Sequence, residues 1–190
     1  MTTAQQLAQI SDTAIMCAAI VYCLALLAHI AEWALSRNLT NDPVMADTAT
    51  APAYPATESP MPTHRGRMDA AGRIGVSLTV AAFGLHLAGI LARALATERV
   101  PWGNMYEFTI TGGAAAVATY LILLCFQPVR WLGLPTTALA VVMLMLAVLV
   151  LDVPAGPLVP ALQTYWLVIH VSAALIATGA FTVGAVASVL

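Results

Sequence analysis

The sequence has no lysine and little charge of either sign: 8% of its 190 residues are charged, against 61% hydrophobic. A water-soluble domain carries roughly 25% charged residues. Too little polar sequence is present to clothe a globule, so lipid is the solvent. The formal net charge of −2, with seven basic residues that are all arginine, leaves no basic field for nucleic acid. Arginine without lysine, beside abundant alanine, reads as genome composition rather than chemistry. Cys17, Cys23 and Cys125 lie inside apolar runs without metal-ligand spacing; they read as small buried hydrophobes. No phosphate-binding loop, HExxH pair or G-x-S-x-G elbow occurs. Residues 1–12 lack the basic start of a cleavable signal.

What is present is a set of long apolar runs. A membrane helix needs about 20 such residues, and five runs qualify: 13–35, 75–96, 106–126, 132–151 and 166–190. Backbone in lipid must satisfy its own hydrogen bonds, so the expected fold is all-α, a polytopic transmembrane bundle of about five spans. The chain then divides into a first transmembrane helix (1–37), a Pro-, Ala- and Thr-rich linker (38–73) expected to be disordered and cytoplasmic, and a four-helix transmembrane region (74–190). Arg37, Arg65, Arg67 and Arg73 cluster on the linker side, which the positive-inside rule makes cytoplasmic. The N-terminus and the loops 97–105 and 152–165 then face outside; Arg93 and Arg99 count against that orientation. The final run stops at Leu190 with no polar tail, as expected of the amino-terminal part of a longer protein.

One loop is not plain. "VPWGNMYEF", residues 100–108, sets Trp102, Gly103, Asn104, Tyr106 and Glu107 between two spans. Asn104 and Glu107 stand in capping-box relation: the Asn side chain accepts the N3 amide and the Glu reaches back to the N-cap amide. Trp102 and Tyr106 suit a membrane–water interface. Read plainly, this is a helix start; a rigid aromatic pair beside a carboxylate also suits the wall of an external site.

Of the four histidines, His64 falls in the linker. His29, three residues before Glu32, suits an internal ion pair or hydrogen bond. His86 falls mid-span between Gly84 and Gly89, glycines that admit a close helix neighbour. It suits either ligation of a buried b-type haem or a hydrogen bond across the bundle. His170, one turn below Tyr165 and Trp166, lies at the outer end of the fifth span. A neutral imidazole there suits axial ligation of haem iron, or an interfacial hydrogen bond.

The order of these features resembles the CcsA/ResC (CcsB-type) family of System II cytochrome c biogenesis proteins. In that family a histidine-bearing span precedes a W-[GS]-N-x-Y-E corner, here His86 and then Trp102, Gly103, Asn104, Tyr106 and Glu107. A later helix opens W-L-x-x-H-V, here Trp166, Leu167, His170 and Val171. The resemblance covers 75–190 well and the first span loosely.

It implies the membrane subunit of a haem lyase (holocytochrome c synthase) in a bacterial plasma membrane. With a ResB/Ccs1-type partner, such a subunit handles haem b as a transient substrate at the outer face and attaches it to apocytochrome c at C-x-x-C-H. On this resemblance His170 is an axial haem-iron ligand, and Trp102, Tyr106, Glu107 and His86 belong to the haem-handling region. The family's tryptophan-rich WWD segment and its second flanking histidine do not occur in these residues, so this piece alone is expected to be inactive. Two alternatives stand beside this: a b-type electron-transfer protein with haem near His29 and His86, and a non-haem membrane scaffold or permease.

Overall fold

The computed structural model describes residues 2–40, 64–156 and 164–189. Five helices run in chain order: α1 (Thr3–Thr40), α2 (His64–Thr97), α3 (Met105–Phe126), α4 (Gly133–Leu149) and α5 (Tyr165–Val189). A 3₁₀ turn, Arg130–Leu132, joins α3 to α4. All five helical segments are long and apolar enough to cross a membrane, so the chain is an all-α, multi-pass membrane protein.

The first two helices outrun their apolar cores. α1 has 38 residues, about 57 Å at 1.5 Å per residue, against a hydrocarbon layer of about 30 Å. It starts ten residues ahead of the apolar run, because Gln, Ser and Thr side chains at its N-terminal end do not interrupt helical backbone. α2 likewise begins at His64, so residues 64–73, expected as linker, are helical. The rest of the expected disordered linker, residues 41–63, lies outside the described residues.

Packing closes the first four helices into a ring: α1 contacts α2 and α4, and α3 contacts α2 and α4. The α1–α2 pair is the most extensive and is built on small residues, with Ala18, Ala19, Ala25 and Ala82 fully buried. Gly89 is one close approach: a Cβ there would stand 2.8 Å from Ile15 Cδ1. The Gly89 carbonyl also accepts a 2.8 Å hydrogen bond from Ser11 Oγ. Gly84, expected to share this role, faces open space. Apolar solvent supplies no drive for helices to associate in lipid, so such close backbone approaches and interhelical hydrogen bonds matter most.

α5 stands outside the ring, against α3. Its buried residues are Leu175, Gly179 and Val183, a single stripe at four-residue spacing. A Cβ at Gly179 would meet the Ala115 carbonyl oxygen at 2.8 Å. α3 and α5 therefore touch backbone to backbone. The three cysteines depart from expectation: Cys17 and Cys125 are exposed and Cys23 is half-buried. They lie on faces turned toward lipid, where a thiol is as acceptable as a methyl group.

Candidate functional site

The corner at 100–108 is set by one carboxylate. Asn104 is the N-cap of α3, in extended backbone at φ −148° and ψ 172°, and its Oδ1 accepts the Glu107 N–H at 2.8 Å. The return bond of the expected capping box is displaced by one residue: Glu107 Oε2 accepts from the Gly103 N–H at 2.8 Å rather than from that of Asn104. Glu107 is fully buried, and capping is the smaller part of its bonding. Arg99 grips it with two nitrogens, Nη1 to Oε2 at 2.8 Å and Nη2 to Oε1 at 3.2 Å. Arg93 Nε donates to Oε1 at 3.4 Å.

The two arginines reach on to a second loop. Arg93 Nη2 donates to the Val153 carbonyl, and Arg99 Nη2 donates to that of Gly156 at 3.1 Å. Arg93 also packs its guanidinium 4.9 Å from the Tyr106 ring centre and lies 3.6 Å from Asp12 of α1. The cluster thus joins α1, α2, α3, the corner and the 152–156 loop at one end of the bundle. Two guanidinium groups and one carboxylate, bonded bidentately and shielded from water, form a far stiffer joint than an exposed ion pair. Arg93 and Arg99 were legible in sequence only as charges bearing on orientation. The available signal was that an arginine inside an apolar span needs a counter-charge, and Glu107 is the nearest acidic residue that faces inward.

Beside the corner runs an apolar groove between α2, α3 and α5, about 690 Å³ in volume. Leu87, Leu91, Ala115 and Leu175 contribute to its walls, with Trp102 and Arg99 also in its lining. Of the residues expected to handle haem, Trp102 alone reaches this groove. Tyr106 and Glu107 are buried in the charge cluster. His170 is exposed near the start of α5. It precedes Gly179 by nine residues, half a revolution of the helix, so it faces away from α3 and the groove. It shares the corner's end of the bundle, since Leu175 of α5 stands level with Gly112 of α3.

His86 is fully buried. Its ring meets Tyr22 edge-on, with centres 5.9 Å apart and planes at 83°. No side chain among the described residues hydrogen-bonds either ring nitrogen; the polar neighbour across the bundle is the Ile110 backbone of α3. His29 does make its expected contact, Nδ1 lying 3.5 Å from Glu32 Oε2. Its Nε2 lies 3.5 Å from Thr79 Oγ1, and Thr79 precedes His86 by roughly 10 Å along α2. His29 and His86 therefore stand at different depths and cannot be the two axial ligands of one haem. No group of three or more His, Cys, Asp or Glu side chains gathers to hold a metal ion among the described residues.

No family model matches the chain, and no solved structure matches it. Curated relatives do. The cytochrome c biogenesis protein CcsA of Synechococcus sp. (strain JA-3-3Ab) is 35% identical over 122 residues, 63% of this chain and 34% of that protein. The protein of the same name from Gloeobacter violaceus is 34% identical over 110 residues, covering 55% of this chain and 32% of its own. That of a Picosynechococcus strain is 33% identical over 119 residues, 60% of this chain and 35% of its own. The chain spans about a third of the length of these curated relatives. Over more than half of its length the chain is similar to proteins named cytochrome c biogenesis protein CcsA.

Proposed function

We propose that the chain serves cytochrome c maturation in a bacterial plasma membrane, as part of the subunit that handles haem at the outer face for attachment to apocytochrome c. The observation that carries this reading is the similarity to proteins named CcsA over more than half of the chain. The geometry of the corner supports it. Glu107, Arg93 and Arg99 stiffen the bundle end at which Trp102 and His170 both stand, so cargo meeting either residue would meet a fixed surface. His170 offers an exposed imidazole, able to supply one axial nitrogen to haem iron. The described residues supply no opposing ligand and no cradle closing over it, so a ResB/Ccs1-type partner or further residues would complete the site. The orientation with this end outside is favoured by the pairing of Arg93 and Arg99 with Glu107. Neutralised in that cluster, they weigh little against the arginines at the other end.

The b-type electron-transfer reading requires His29 and His86 at a common depth, and they are two helical turns apart. The discriminating experiment is the haem content of protein co-expressed with a ResB-type partner, for wild type, His170→Ala and His86→Ala. Haem lost with His170→Ala and retained with His86→Ala supports haem handling at the outer end. The converse supports a haem inside the bundle. No haem in any of the three leaves the scaffold reading.

A further inference from the structure

At the end opposite the corner lies a cavity of about 280 Å³ that the haem-handling reading does not use. Its apolar walls come from Trp33 of α1, Met68 of α2, Trp131 of the 3₁₀ turn and Leu134 of α4. Trp33 and Trp131 are 53% and 51% exposed, so two indoles stand at a mouth open to the membrane. The polar part of the lining is His29, Glu32, Ser36 and Arg130, the Ser36 hydroxyl donating to the Trp33 carbonyl at 2.7 Å.

These polar groups are unevenly satisfied. Glu32 is engaged through both oxygens, Oε1 by Arg130 Nη2 and Oε2 by His29 Nδ1. Arg130 Nη1 faces Asp69 of α2 at 3.6 Å, but its Nε is buried without a partner. His29, only 2% exposed, has nothing closer than its two 3.5 Å contacts, beyond the ordinary range of about 2.7–3.2 Å for such bonds. The Thr79 hydroxyl beside it donates instead to the Gly75 carbonyl at 2.8 Å. A buried polar group without a partner calls for an explanation, and beside a cavity a bound molecule is one that supplies it.

Arg130 Nε is the donor left without a partner, so the occupant brings an acceptor. An anion is disfavoured, because Glu32 and Asp69 already flank Arg130. A cation is disfavoured, because the Arg130 guanidinium already neutralises Glu32. A neutral molecule with oxygen acceptors remains. The volume, about 280 Å³, lies just below the range for small-ligand pockets, about 300–1,000 Å³. It suits a single or fused ring rather than a macrocycle, and flanking indoles favour a flat one.

We propose that this cavity binds a lipid-soluble quinone-class ring, one ring oxygen accepting from Arg130 Nε. The test is a titration of the full chain in lipid nanodiscs with menadione, read by quenching of tryptophan fluorescence. Wild type is expected to show saturable quenching. Arg130→Lys keeps the positive charge between Glu32 and Asp69 but removes Nε; it is expected to weaken binding about tenfold while leaving helical content unchanged. Met68→Phe, which fills the cavity, is expected to abolish the saturable phase. Quenching that rises linearly without saturation, or saturates equally in wild type and both variants, overturns the proposal. Menadione binding that survives Arg130→Lys yet is displaced by added anionic lipid overturns it in favour of a lipid headgroup site. The outcome is independent of whether His170 ligates haem.

Discussion

Glu107 and Glu98 are two glutamates nine residues apart with opposite circumstances. Glu107 is sealed from solvent and is the counter-charge for two arginines. Removing it strands their charge in a shielded site, a class of change that costs about 3–5 kcal/mol. Glu107→Ala should therefore lower stability by that amount in a denaturant titration in detergent. Glu107→Asp, which keeps the charge on a shorter stem, should lose less than half as much. A loss under about 1 kcal/mol for the alanine variant would mean the cluster is only ornament on a capped helix. Glu98 is exposed, and it has a left-handed backbone, φ 50°, alone among the described non-glycine residues. That conformation turns the chain out of α2 just ahead of Arg99, at a strain of about 1 kcal/mol for a residue with a side chain. Glu98→Gly should leave stability unchanged or raise it slightly, whereas Glu98→Val should lower it. Sequence alone shows that Asn104 and Glu107 can cap a helix. It does not show the double arginine grip, because Arg93 and Arg99 approach Glu107 only once α2 and α3 have packed.

Among the elements, the helices were legible and their edges and faces were not. Apolar runs of membrane-spanning length leave no alternative to helix in lipid, and all five expected spans are present. The extra turns of α1 and α2 are invisible to a reading by hydrophobicity, since polar residues continue a helix as readily as apolar ones. Which glycines face a neighbour is equally hidden: Gly89 does and Gly84 does not. The same contrast recurs on α5 and can be measured. Gly179→Ala drives a methyl into the Ala115 carbonyl and should separate α5 from α3, at about 1–3 kcal/mol. Gly184→Ala meets nothing within 4 Å and should gain up to about 1 kcal/mol from helix propensity. Equal effects of the two substitutions in a paired stability measurement would contradict the backbone contact between α3 and α5.

The whole molecule is a ring of four helices with a fifth beside it and a polar cluster at each end. One end holds Arg93, Glu107 and Arg99; the other holds His29, Glu32, Arg130 and Asp69. Sequence reading named residues at both ends. It grouped Trp102, Tyr106, Glu107, His86 and His170 in one region, and folding separates them: into the groove lining, the charge cluster, the bundle core and the outer face of α5. Residue spacing carries no information on rotation about a helix in an apolar bundle whose faces are all hydrophobic, and that rotation is what parts His170 from the groove. The proposed orientation predicts that, on a cysteine-free background, Ala155→Cys reacts with a membrane-impermeant maleimide added outside intact cells and Arg67→Cys does not. The reverse pattern would invert the assignment. The most direct test of the haem-handling reading is the absorption spectrum of the reduced protein, purified with a ResB-type partner, for wild type and His170→Gly with and without imidazole. The account predicts a haem spectrum with two nitrogen ligands in wild type, weakened in the variant and restored by imidazole. An unchanged spectrum in the variant, or a loss that imidazole does not restore, would contradict His170 as the ligand.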